Sequence, residues 1–125
     1  MTGDIEKEAE LALLNANLEK LKSDVLTVPH HGSKTSSSYD FIAAVASSVS
    51  VFTPGYLNRF GHPKPLIVER YQTFGGIMYR SDYDGALHIS FVNNLHVKNK
   101  ISVASWRRQY KYYWQDEFST VAAIE

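Results

Sequence analysis

The chain has no cysteine among its 125 residues, which excludes disulfides and thiolate metal sites, so any metal would be held by histidine and carboxylate. It has no stretch approaching the roughly 18 consecutive apolar residues of a membrane-spanning helix. Its first residues, MTGDIEKEAE, are acidic where a secretory signal would be basic. As it stands the chain reads as soluble. Net charge is absent too, because 13 basic side chains balance 13 acidic ones. That balance is uneven along the sequence. Residues 1–24 hold three lysines against six carboxylates, a net of −3, whereas residues 25–111 hold ten basic residues against four acidic ones, a net of +6. A solvated surface accounts for this distribution, and so does a face for a polyanion.

What is present is enough for one folded domain. Apolar residues make up 44% of the chain and aromatics 13%, which supports a sizeable core. In residues 4–22, Leu11, Leu14, Leu18 and Leu21 recur at helical spacing and predict one stripe of an amphipathic helix, with Asp4 as N-cap and Glu6 and Glu8 in the first turn. Residues 24–28 (DVLTV) read as a buried strand that Pro29 stops. A helix over 39–47 with Phe41, Ile42 and Val45 on one face is followed by a strand over 49–53. The loop 56–65 leads into a helix over 66–74, which Gly75 and Gly76 end. Residues 77–80 and 86–92 read as strands around a turn at 81–85, and Asn93-Asn94 as a hairpin turn into a strand over 95–103. The expected fold class is therefore α/β, a mixed β-sheet with flanking helices. The expected organisation is a single unit over 1–125, in which 93–125 supplies a hairpin strand and an aromatic and basic tail.

Three stretches could carry chemistry: "TGD" with Asp4, "VPHHGSKTSSS" with His30 and His31, and "NRFGHP" with His62. Each falls in a predicted turn, where loops from different elements converge. Neutral imidazole and carboxylate suit zinc or manganese, and a bridging carboxylate can join two ions. The same residues are also compatible with plain structural roles, Asp4 as a cap and the histidines bonded to backbone carbonyls.

"MTGDIEKEAELALL", "DVLTVPHHGSKTSSS", "NRFGHPKP" and "YRSDYDGALHIS" resemble, in order and separation, the C-terminal metallo-β-lactamase-like domain of the ComEC family of DNA-internalisation competence proteins. The resemblance covers roughly residues 1–92 and continues more loosely beyond. It implies the C-terminal half of an αββα sandwich. It further implies Asp4 as the ligand bridging two divalent ions, zinc or manganese, and His31 rather than His30 as the terminal ligand. His30 and His62 would then act as catalytic groups, His62 as general acid or substrate orienter. Ser33, Lys34, Thr35, Ser36, Asn58 and Arg59 would contact phosphate or DNA, the alternative for the serine string being an ordinary helix N-cap.

One departure matters more than the matches. The family's principal metal motif, His-x-His-x-Asp-His, is absent, so the chain is expected to be a partial domain that binds metal weakly or not at all and is inactive alone. The resemblance implies DNA uptake in natural transformation, with a metal-dependent phosphodiesterase in the parent. It also implies partners in DNA, in the missing N-terminal half and in a membrane channel, on the periplasmic side of a bacterial inner membrane. A non-catalytic DNA-binding or docking module is the alternative. The tail "WRRQYKYYW" has the ingredients of single-strand binding, aromatics interleaved with cations, or of an amphipathic closing helix. A half-sandwich also predicts self-association, since Val25, Val28, Val49, Val51, Leu87 and Ile89 include residues expected to face a missing sheet.

Overall fold

The computed structural model describes residues 1–94 and 97–110. The chain divides into two bodies, Met1–Asp82 and Tyr83–Glu125.

The first body is built on a parallel sheet of three strands, β1 (Val25–Thr27), β2 (Val49–Phe52) and β3 (Ile77–Arg80), in that spatial order. Val25 stands beside Val49, and Val51 beside Tyr79. Parallel neighbours need a crossover, and here helices α2 (Tyr39–Val45) and α3 (Pro65–Phe74) supply it. The central strand, VSVF, is buried at every position, as a β-branched strand flanked on both edges should be. Leu26, Val28, Phe41, Ile42, Val45, Phe52, Ile67 and Tyr71 form the core, with the Phe52 and Tyr71 rings edge to face at 5.3 Å.

Helix α1 (Lys7–Asn17) is shorter than its leucine spacing predicts and passes into a 3₁₀ turn at Leu18–Lys20. Glu6, not Asp4, occupies the N-cap position. The leucine stripe is also displaced: Leu11 and Leu18 are 58% and 59% exposed, while Ile5, Leu13, Leu14 and Leu21 pack against the core. The reason is Glu10, which is fully buried. Its carboxylate accepts hydrogen bonds from the backbone N–H groups of Ser37 and Ser38 at the entrance to α2. Turning that acid inward rotates the helix away from the stripe read on hydrophobicity alone.

The hairpin expected between residues 77–80 and 86–92 does not form. β3 pairs in parallel with β2, and the segment after it is one helical turn, α4 (Ser81–Asp84). In the second body β4 (Leu87–Asn94) pairs antiparallel with β5 (Val97–Ser105), from Leu87 beside Ser105 to Asn94 beside Val97. Asn93 and Asn94 thus belong to a strand rather than to the predicted turn. Among the described residues the strands form two separate sheets, one parallel and one antiparallel, where one mixed sheet was expected. Helix α5 (Trp106–Gln109) follows, with the Trp106 and Tyr110 rings 4.3 Å apart. Arg108 donates through Nε to Asp84 Oδ1 at 2.8 Å. Residues 111–114 of the aromatic tail lie outside the described residues.

Of the six apolar strand residues, some of them expected to face a missing sheet, Val28, Val49 and Val51 are already buried within the first body. Among the described residues no helix is long and apolar enough to cross a membrane.

Candidate functional site

The site is built at the carboxyl ends of β1 and β2. Leaving β1, the Val28 N–H donates to Val51 O at 2.8 Å, which holds the chain to the sheet until Pro29 opens the 3₁₀ turn Pro29–Gly32. Within that turn His30 and His31 adopt left-handed backbone angles, φ 47° and 54°. Such angles cost an L-residue about 1 kcal/mol or more, and backbone strain of this kind collects at functional sites. The N-terminal segment is fastened to the same turn. Thr2 donates through Oγ1 to Thr27 O at 2.6 Å, and the His30 N–H donates to Gly3 O at 2.9 Å.

Two histidine–carboxylate pairs result. His31 Nε2 lies 3.4 Å from Asp4 Oδ1, and His31 Nδ1 lies 3.1 Å from Oγ1 of Thr53, the residue after β2. His30 Nδ1 lies 3.1 Å from Glu6 Oε1, which also accepts a 2.8 Å hydrogen bond from the Thr35 hydroxyl. A carboxylate only accepts, so we assign the His30 proton to Nδ1, which leaves Nε2 as the lone-pair nitrogen of the neutral ring. For His31 the Thr53 hydroxyl can donate or accept, so this ring can turn either a proton or a lone pair toward Asp4.

A third imidazole comes from the loop after β2. His62 is half-buried, with its ring 6.0 Å from that of His30. Burial holds its pKa below the ordinary 6.5, and Lys64, His30 and His31 lower it further. His62 is therefore neutral at pH 7. Asn58 fixes the loop: its Oδ1 accepts from the His62 N–H at 2.8 Å, and its Nδ2 donates to His62 O and Gly55 O. Gly32 lets this loop close on the histidine turn. Its φ is +83°, and a Cβ there would stand 2.6 Å from Pro63 Cβ.

Asp4, His30, His31 and His62 thus come together. The residues expected to contact phosphate divide. Lys34 is exposed, and the Arg59 guanidinium lies 5.0 Å from the Phe60 ring centroid. Ser33 and Thr35 share a 3.1 Å hydroxyl contact. Ser36 is fully buried and bonds Pro29 O and Ser33 O, and Asn58 spends both amide hydrogens on carbonyls of its own loop. Sequence reasoning missed Glu6 and Thr53. Glu6 was visible only as a first-turn acid, and Thr53 only as the end of a strand.

Among the described residues no group of three or more histidines, cysteines, aspartates and glutamates is placed to hold a metal ion. Asp4 and His31 offer two donors, and a catalytic zinc takes three from protein.

A parallel α/β body that gathers imidazoles on loops at the carboxyl ends of its strands, with two carboxylates of the N-terminal segment set against them, has the layout of a polar binding or catalytic site. Comparison with known proteins gives its relatives. The chain is 35% identical over 116 residues to "Competence protein ComA" of Neisseria gonorrhoeae, 33% over 95 to "ComE operon protein 3" of Bacillus subtilis, and 31% over 91 to "Recombination protein 2" of Haemophilus influenzae. These matches take in 92%, 76% and 73% of the chain. They cover only 16%, 12% and 11% of the relatives, in a small C-terminal portion of each. The chain belongs with the competence and recombination proteins of the ComEC family. No protein-family model matches it, and no solved structure matches it.

Proposed function

We propose that this chain acts in DNA uptake during natural transformation, as the C-terminal half of a metallo-β-lactamase-like αββα sandwich on the periplasmic side of the inner membrane. In this reading Asp4 and His31 are this chain's share of the ligand set of a two-metal phosphodiesterase site. The convergence of Asp4, in the N-terminal segment, and His31, in the turn after β1, to 3.4 Å carries the proposal. The two donors present are fewer than the three that a catalytic zinc takes from protein, so no hydrolytic step is assigned to this chain by itself. Its own contribution is positional. Thr53 steadies His31, Glu6 keeps the His30 proton on Nδ1, and Lys34 and Arg59 supply cations for a phosphodiester. The partners in this reading are DNA, the half-domain that completes the ligand set, and a membrane channel.

Calorimetry with manganese or zinc tests it. The expected result is weak binding that disappears in Asp4→Ala and in His31→Ala, with no DNA cleavage by the chain alone. Equal metal binding by both variants would remove the ligand assignment. Cleavage that persists through purification and vanishes in Asp4→Ala would show the chain to be a complete enzyme.

The excess of basic residues over 25–111 favours a second reading, a DNA-binding module without chemistry. Counterion release then dictates a steep loss of affinity with salt, and Lys34→Ala with Arg59→Ala flattens the slope by about one unit per lost phosphate contact. Binding indifferent to salt would count against a DNA-facing role.

A further inference from the structure

Loop 55–64 presents apolar side chains to solvent beside the three imidazoles. Leu57 is 83% exposed and Phe60 59%. The loop is nonetheless firmly held. Asn58 braces it through Gly55 and His62, the Gly61 N–H donates to Asn58 O at 3.1 Å, and Lys64 donates through Nζ to Phe60 O. The ring of Phe60 stacks on His62, with centroids 5.8 Å apart and planes 25° from parallel. The Arg59 guanidinium lies 5.0 Å from the Phe60 centroid. The ring has two faces: His62 stacks against it, and the guanidinium over it is carried on the flexible stem of Arg59, so an incoming flat group can take the guanidinium's place.

We propose that Phe60 is a base-stacking platform that seats one unpaired nucleobase beside the imidazole cluster, with Arg59 taking the adjoining phosphate. The inference rests on the proposed DNA-handling function and adds the residue that sets preference for single strands. Every nucleobase has a π face, so stacking on Phe60 tolerates sequence, whereas a duplex keeps its bases inside and offers only phosphates. A base seated on Phe60 leaves its backbone within reach of His62 and His30, whose rings are 6.0 Å apart. Leu57, at φ 50°, sits on the same loop and lends a second apolar edge. An apolar protein partner is the competing occupant, and the Arg59 and Lys64 cations beside the ring favour the polyanion.

The test uses the full chain and fluorescence anisotropy with oligonucleotides of about 12 nucleotides, single-stranded and as blunt duplex, one set carrying 2-aminopurine. The chain should bind the single strand more tightly than the duplex and quench the 2-aminopurine. Phe60→Ala should weaken single-strand binding by about 5- to 150-fold, the equivalent of the stacking of one base, abolish the quenching and leave duplex affinity within about twofold. Phe60→Trp, which restores a larger π face, should keep both binding and quenching. If Phe60→Ala and the unsubstituted chain bind single strands equally, the stacking role falls while the DNA-handling function stands. Equal losses for single strand and duplex in Phe60→Ala, or loss in Phe60→Trp, would also overturn the platform. If the unsubstituted chain binds neither form at low salt, both proposals fail.

Discussion

At the residue scale, the imidazoles differ in what their neighbours ask of them. His30 faces a carboxylate that takes its Nδ1 proton in a hydrogen bond, whereas His62 faces Lys64 and two other imidazoles in a half-buried loop. A proton on His62 is therefore less welcome in the folded chain than in the unfolded one. Below pH 6.5 the unfolded state binds the additional proton, so the stability linked to His62 is complete above 6.5 and is lost as pH falls through its lower folded pKa. Melting temperatures between pH 7 and pH 5 should fall more in the unsubstituted chain than in His62→Gln. Parallel pH profiles would mean that the imidazole does not titrate in this window. The sequence made the three histidines visible as candidates. It did not show Glu6 as the partner of His30, because a carboxylate at the start of a helix reads equally well as a favourable charge on the helix dipole.

At the scale of elements, the site depends on how closely the loop 58–63 can approach the turn Pro29–Gly32. Gly32 and Gly3 both have left-handed φ, +83° and +56°, but only Gly32 would place a Cβ against a neighbour, Pro63 at 2.6 Å. Gly3 has nothing within 4 Å of that position. Gly3→Ala should therefore lose about 1–2 kcal/mol, the backbone part alone. Gly32→Ala adds overpacking worth about 1–3 kcal/mol and should lose about 2–5 kcal/mol in total. Urea denaturation of the two variants measures the difference, and equal losses would show that the Pro63 contact relaxes. Element existence was largely legible, since β1, α2, β2, α3 and β3 all fall where periodicity and the Pro and Gly punctuation put them. The orientation of α1 was not. Leucine spacing defines a stripe, but a buried acid that must satisfy two backbone N–H groups decides which face turns inward.

At the scale of the whole molecule, burial moves the expected self-association to other residues. Val28, Val49 and Val51 are already covered, while Phe91 on β4 is 65% exposed and Val92 beside it points to the opposite side of the strand. A two-stranded sheet is marginal in water without cover on a face. Light scattering across a dilution series should show association at micromolar concentration that Phe91→Asp weakens. A monomer at every concentration would mean that the hairpin needs no further partner.

By itself the sequence determined the α/β class, the absence of thiolate chemistry, the three histidines and the relation to ComEC-family proteins, because local periodicity and short motifs are written in consecutive residues. Only the tertiary structure decided the rest. The pairing of β3 with β2 instead of β4, the inward face of α1, and the partition of hydroxyls between exposed Thr35 and buried Ser36 all depend on contacts between segments distant in the chain. The pairing of Asp4 with His31 and of Glu6 with His30 does too, and it follows from one geometric circumstance: the N-terminal segment is fastened by hydrogen bonds of Thr2 and Gly3 to the end of β1 and the turn that follows, which sets the carboxylates that come after it against the imidazoles of that turn.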